Sequence, residues 1–202
     1  MDPPRPRAGR ERVADAPRAG ALARPHRRWS YADLEALPET TERTEILDGD
    51  LIVSPAPHAL RHQSVVLNLA SGWRAWAHRA GRVFVAPCDV VLSETRVVQP
   101  DVLFVAAARI GIVDRAVVGA PDVVAEVLSP GNARLDRTVK FHIYEEAGVP
   151  ECWMLDPETE TVEVFALADG AYVRHDAAGR GGRVTSAHLP GFAVDVDDLF
   201  DA

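Results

Sequence analysis

Residues 121–129, PDVVAEVLS, constrain the chain more than any other stretch. A near-continuous β-branched run of this kind fits a central strand covered on both faces. Successive strand side chains point to opposite faces. Val123, Ala125 and Val127 therefore share one face, and Val124, Glu126 and Leu128 share the other. Both faces are apolar, so Glu126 points into or near the core. An unpaired carboxylate there costs several kcal/mol or takes up a proton. Glu126 needs a metal, a cation or strong hydrogen bonds; the plainer alternatives are an edge position or a structural ion pair.

The next helix carries a second oddity. Of 22 Lys and Arg residues, only Lys140 is a lysine. Residues 134–147 read as an amphipathic helix closed by Gly148. Glu126 to Ser129 spans about 10 Å of strand, a short PGNA loop follows, and Arg134 to Lys140 spans about 9 Å of helix. Packed back antiparallel, the helix returns Lys140 to the level of Glu126. The simpler reading is a surface pair with Asp136 at i−4, but Arg would serve equally there. Lysine differs in being a compact point charge that shifts its pKa when desolvated. Asp101, after Pro100 at the mouth of the VLFVA strand, adds a relational signal. Two acids on neighbouring strands can converge on one divalent cation, and magnesium favours such an oxygen site.

The rest of the pattern alternates helices and strands. Ser30 is an N-cap, with Asp33 three residues on, for a short helix to about Leu37. Asp48-Gly49 between apolar runs marks a hairpin. Residues 58–80 form a long helix stopped by Gly81, with Leu60, Val65, Leu67, Leu69, Trp73 and Trp76 on its buried side. RVFVAP, CDVVLS, VVQPDVLFVA, ECWMLDP and TVEVFAL read as strands, and AYVRHD and RVTSAHL extend a sheet. The expected class is α/β (α+β mixed), a mixed β-sheet flanked by helices. Trp73, Trp76 and Trp153 read as core rather than as a base-stacking platform. Residues 1–28, rich in Pro, Arg, Ala and Gly, read as a basic disordered tail, and 29–202 as a single domain.

Composition narrows the function classes. The tail sets eight Arg against three acids, so the remaining chain carries −13 of a total −8. A body that acidic repels nucleic acid at long range unless a metal, a local Arg patch or the tail intervenes. No apolar run is long enough to cross a bilayer, and no secretory h-region stands at the start. Cys88 and Cys152 read as free thiols of a cytoplasmic protein. No P-loop, GxGxxG or GxSxG is present. His58 and His62 have the i,i+4 spacing of a zinc pair, but no Glu lies between them as in HExxH and no third ligand is evident.

Taken together, TEILDGDLIVSPAPHALRHQ, VVQPDVLFV, PDVVAEVLSPGNARLDRTVKFHIYEEAGVPECWMLDP and LPGFAVDVDDLF resemble the Uma-type restriction endonuclease family, within the PD-(D/E)XK nuclease superfamily. The resemblance spans roughly residues 29–200. It implies a restriction-endonuclease-like core and a Mg²⁺-dependent (Mn²⁺ tolerated) endonuclease acting on DNA, with a homodimer as one arrangement. It makes Asp101, Glu126 and Lys140 the catalytic residues. Metal would be held by Asp101, Glu126, the carbonyl of Val127, and Glu45; His62 and Gln63 would face the phosphate. The superfamily carries its lysine two residues beyond the second acid. Here Leu128 stands at that position, and Lys140 on the next helix takes the lysine's place. Asp89 and Asp136 are supporting candidates; Tyr144, one turn beyond Lys140, could pack beside it but reads first as core or rim packing. The competing expectations are a nuclease-fold interaction module that does not cleave, and a hydrolase of RNA or of a small nucleotide.

Overall fold

A computed structural model describes residues 27–38, 40, 42–54, 60–131 and 133–201. Helix α1 (Tyr31–Glu35) leads into a hairpin of β1 (Arg43–Leu47) and β2 (Asp50–Ser54), then the long helix α2 (Leu60–Ala77). Strands β3 (Gly81–Val85), β4 (Val90–Ser93), β5 (Arg96–Val98) and β6 (Val102–Ala106) follow, then the short β7 (Val117–Val118) and β8 (Val123–Val127). One helical stretch then runs from α3 (Ala133–Leu135) through a π-turn (Asp136–Lys140) into α4 (Phe141–Glu146). The chain closes with β9 (Glu151–Asp156), β10 (Thr161–Ala168), β11 (Ala171–Gly179), β12 (Arg183–Thr185), β13 (Ala193–Asp195) and α5 (Val196–Phe200).

The local signals act as their chemistry requires. Ser30 and Asp33 form a reciprocal capping box at α1. Asp48 and Gly49 sit at φ 52° and 88° between paired Leu47 and Asp50, the double left-handed turn that matches hairpin twist. Strand β8 lies inside a six-stranded mixed sheet of order β11-β10-β9-β8-β6-β3, parallel to β9 and antiparallel to β6. Its two faces divide as the alternation requires. Val123, Ala125 and Val127 pack with Leu69 and Trp73 of α2 and Leu199 of α5. Val124 and Leu128 pack with Ile143 and Tyr144 of α4 and with Leu47, Val90 and Val98. The three tryptophans lie in the first of these cores or against it, with Trp73 and Trp153 edge to face at 5.9 Å.

The expected mixed sheet flanked by helices is present, and beside it β2-β1-β5-β4-β7 make a second, five-stranded sheet. Three finer expectations need correction. The run VVQPDVLFVA is two strands, because Pro100 has no N–H for a ladder and the chain crosses there from one sheet to the other. Arg183–Thr185 pairs with β13 in a separate two-stranded sheet instead of extending a larger one. On α2 the inward stripe is His62, Val65, Leu69, Trp73 and Ala77, at helical spacing, whereas Leu60 and Leu67 are 80% and 65% exposed. The zinc pairing falls on His58, which lies outside the described residues, as does the tail up to residue 26. Arg27 and Arg28 are described and bond Asp33 and the Asp48 carbonyl.

The exposure contrast on α2 is measurable by urea denaturation. Leu69→Ala removes a fully buried side chain and is expected to cost about 2–5 kcal/mol. Leu67→Ala is expected to change stability by no more than about 0.5 kcal/mol.

Candidate functional site

The face of β8 that carries Glu126 meets β1 and the π-turn. Along β1, Arg43 and Glu45 are two residues apart and so share a face; both are buried. The Lys140 ammonium, fully buried, lies 2.6 Å from Glu126 Oε1, 3.1 Å from Glu45 Oε1 and 3.6 Å from Asp136 Oδ1. These are ion-pair distances; none is aligned as a hydrogen bond. Tyr144, one turn on, donates its hydroxyl to Glu126 Oε1 at 2.5 Å. Glu45 Oε1 also accepts from the Gln99 N–H at 2.7 Å.

Asp101 sits at the sheet-to-sheet joint. Val102 pairs with Ala125 in the antiparallel ladder, so Asp101 stands one step on, across from Glu126. Its Oδ2 accepts from the Val127 N–H at 2.8 Å and lies 3.2 Å from His62 Nε2; its Oδ1 accepts from Arg43 Nη2 at 2.5 Å. The structure thus brings Glu126, Glu45 and Lys140 into direct contact, with Asp101 beside them. With His62, Arg43 and Asp101, Gln63 lines a cavity of about 550 Å³.

Residues 31–197 match the Uma2 family, described as "Putative restriction endonuclease". The chain belongs to the Uma2 family. A crystal structure of a protein from Anabaena variabilis, titled a putative nuclease belonging to DUF820, superposes with a TM-score of 0.69. At 22% identity the match covers 85% of this chain and 97% of that one, and it shows a shared fold. No curated protein matches at a significant level. No helix among the described residues is long and apolar enough to cross a membrane.

Electrostatics set this Uma2 site apart from the other buried carboxylates of the chain. Glu151 is equally buried, yet both its oxygens are used: Trp153 and Ser186 donate to Oε1, and the N–H groups of Ala187 and His188 donate to Oε2. That carboxylate fastens a loop. Glu126 instead crowds one donor, the Tyr144 hydroxyl, and the Lys140 charge onto Oε1 and leaves Oε2 buried with no partner. An orphaned buried oxygen of this kind calls for a proton or a cation. Charge adds to the demand, since Glu45, Asp101, Glu126 and Asp136 are buried together with, among the described residues, only Arg43 and Lys140 as buried permanent cations.

The pKa shifts follow from this crowding. Burial, reinforced by Asp136 and Asp101, pushes Glu126 up to about 8 against the pull of Lys140. Burial likewise lifts Asp136 to about 6. For Asp101, burial is outweighed by the His62 hydrogen bond and the Arg43 charge, which hold it well below the usual carboxylate range. Burial draws Lys140 down, but Glu126, Glu45 and Asp136 outweigh it and hold the ammonium above its ordinary value.

Hard carboxylate oxygens suit Mg²⁺ or Mn²⁺, and one divalent ion would balance the excess negative charge. In donor type and charge the residues fit such an ion. The described residues nevertheless hold no three His, Cys, Asp or Glu side chains arranged as a metal-ligand cluster, for Lys140 and Arg43 lie among the acids. Arg43 is the participant missing from the sequence reading; its signal was the two-residue spacing to Glu45 on a half-buried hairpin. Asp136, a supporting candidate by sequence, and Tyr144, read there first as packing, both touch the central pair.

Between its ordinary value of 4.5 and about 8, Glu126 keeps a proton in the folded chain that the unfolded chain gives up. Its contribution is therefore fully present below 4.5 and lost as the pH rises through about 8. Asp136 acts with the same sign between 3.8 and about 6, and Asp101 with the opposite sign on the acid side of 3.8. The metal-free protein should lose thermal stability from about pH 5 to about pH 8, and Glu126→Gln should flatten that slope. Melting temperatures across this range provide the check.

Proposed function

We propose that this chain is a metal-dependent endonuclease that hydrolyses DNA phosphodiester bonds. Asp101, Glu126 and the Val127 carbonyl would hold Mg²⁺ or Mn²⁺, with Glu45 reached directly or through water. The observation that carries this reading is the buried Glu126 Oε2, left without a partner where negative charge is in excess. Membership of a family described as restriction endonucleases supports it.

When bound, the ion supplies Lewis acidity toward the phosphate and lowers the pKa of a coordinated water. The remaining work falls to side chains. Tyr144 holds Glu126 Oε1 and would leave Oε2 free to ligate the ion. Lys140, a point charge with three unspent donors, would aim one of them at the attacking water or the phosphate oxygen. Asp136, Glu45 and Glu126 keep it charged and centred throughout. Arg43 and His62 border the cavity and would meet phosphate charge as it enters, with Gln63 beside them.

A second reading has its own observation. Arg43 and Lys140 already satisfy much of the acid cluster, and the body is acidic. A nuclease-fold interaction module would keep this arrangement without cutting.

Cleavage of single-stranded and duplex DNA with Mg²⁺ or Mn²⁺ separates the two. The nuclease reading expects metal-dependent cleavage that falls at least about a hundredfold in Asp101→Asn and Glu126→Gln. Weaker Mn²⁺ binding by calorimetry and unchanged circular dichroism should accompany that fall. Full activity in both variants would remove the proposed site, and no DNA binding with Ca²⁺ at any salt concentration would favour the module.

A further inference from the structure

The acids and the surface communicate by a restricted route. Glu126 and Lys140 have no exposure at all, and Glu45 almost none. Among the described residues, Asp101 is the member of the acid cluster that lines the cavity of about 550 Å³, with Arg43 and His62 beside it. The walls are apolar: Leu34 on α1 and Leu37 just after it, Val66 and Leu67 on α2, and Pro87 beyond β3. Gln63 adds a hydrogen-bonding group between wall and floor, Gln99 Nε2 donates to Asp89 Oδ1 there at 2.7 Å, and Glu42 stands at the exposed rim. Size, apolar walls and a few convergent polar groups are the marks of a site for a compact ligand. Groups that only grip the outside of a duplex would form a flat, basic surface instead.

Two further observations narrow the occupant. Arg43 spends one nitrogen, Nη2, on Asp101, and none of its other nitrogens is hydrogen-bonded among the described residues. That leaves fork positions suited to a phosphate oxygen at the floor of the cavity. Leu67 is 65% exposed although it lies on the cavity wall, so the apolar wall extends to the mouth. A flat apolar ring with polar edges, carried on a phosphate, satisfies wall, polar groups and floor together. A stacked duplex offers no such ring to a concave cavity.

We propose that the cavity holds the base of an unstacked nucleotide whose phosphate lies against Arg43 and the Asp101 end of the acid cluster. This rests on the nuclease reading for the cut, though not for the binding. The substrate is then a single strand, or a nucleotide drawn out of a duplex, in preference to a stacked one.

Binding and cleavage by the whole protein test the two readings separately. A short single DNA strand carrying one 2-aminopurine is titrated in Ca²⁺, and the same strand, its duplex and a version with one abasic position are cut in Mn²⁺. The cavity reading expects a fluorescence change on binding and preference for the single strand. It also expects a loss of at least about tenfold in affinity when the abasic position falls at the pocket nucleotide. Leu67→Trp, a surface substitution that fills the mouth, should abolish the fluorescence change while Mn²⁺ binding by calorimetry stays unchanged. Displacement of the strand by free deoxyadenosine monophosphate at similar concentration would identify a free nucleotide as the occupant. No displacement would identify the strand, and either result keeps the pocket. Pocket-dependent binding without cleavage would sustain the pocket and remove the nuclease. Cleavage indifferent to abasic positions, to duplex form and to Leu67→Trp would overturn the pocket and leave the nuclease standing. Neither binding nor cleavage would overturn both.

Discussion

A lysine ammonium with no access to water normally loses its proton or finds compensation, because removing it from water costs several kcal/mol. Lys140 finds compensation in three carboxylates drawn from three separate pieces of the fold: Glu45 from the five-stranded sheet, Glu126 from the six-stranded sheet, and Asp136 from the helix that carries the lysine itself. Without that lysine, each of these acids would be costly to bury in its charged form. The cation permits their burial, and they permit its own. The two sheets therefore meet on a charged joint, with apolar packing from Leu47, Val98, Val124 and Tyr144 around it.

Overcompensation gives the joint its chemistry. A single carboxylate opposite Lys140 would make a closed structural pair, much as Glu151 closes on its four donors. With additional acids present, one carboxylate oxygen is left without a partner and negative charge exceeds positive. A site of that kind is held together by its protein cations and remains receptive to a further one. Asp101 belongs to the same system at its outer margin, where Arg43 and His62 occupy it and the cavity begins.

Much of this was legible in the sequence, and for identifiable reasons. The faces of β8 follow from strict two-residue alternation, and the meeting of Lys140 with Glu126 follows from adding strand and helix rises on either side of a short loop. The division into two sheets was not legible, because a β-branched run looks alike in either sheet and only Pro100 hinted at the crossing. Leu60 and Leu67 misled for another reason. Hydrophobicity signals burial in a helix with one covered face, but the inward stripe of α2 begins with a histidine, and these leucines stand off that stripe. Arg43 was passed over because arginine is the common cation of this chain, and its meaning lies in the carboxylate it reaches across 58 residues of sequence.

The π-turn at Asp136–Lys140 carries a consequence for how such a chain can vary. It places Asp136 and Lys140 together inside the protein and then delivers Ile143 and Tyr144 onto the sheet. In a regular helix each residue turns the chain by about 100°. Loss of one residue within the turn would swing Lys140 away from Asp136, or Tyr144 away from Glu126, while leaving the hydropathy of the segment almost unchanged. Length is therefore constrained here more tightly than composition. Two chains with the same acids and the same lysine can differ in whether they possess the site at all, according to whether this one turn is wide.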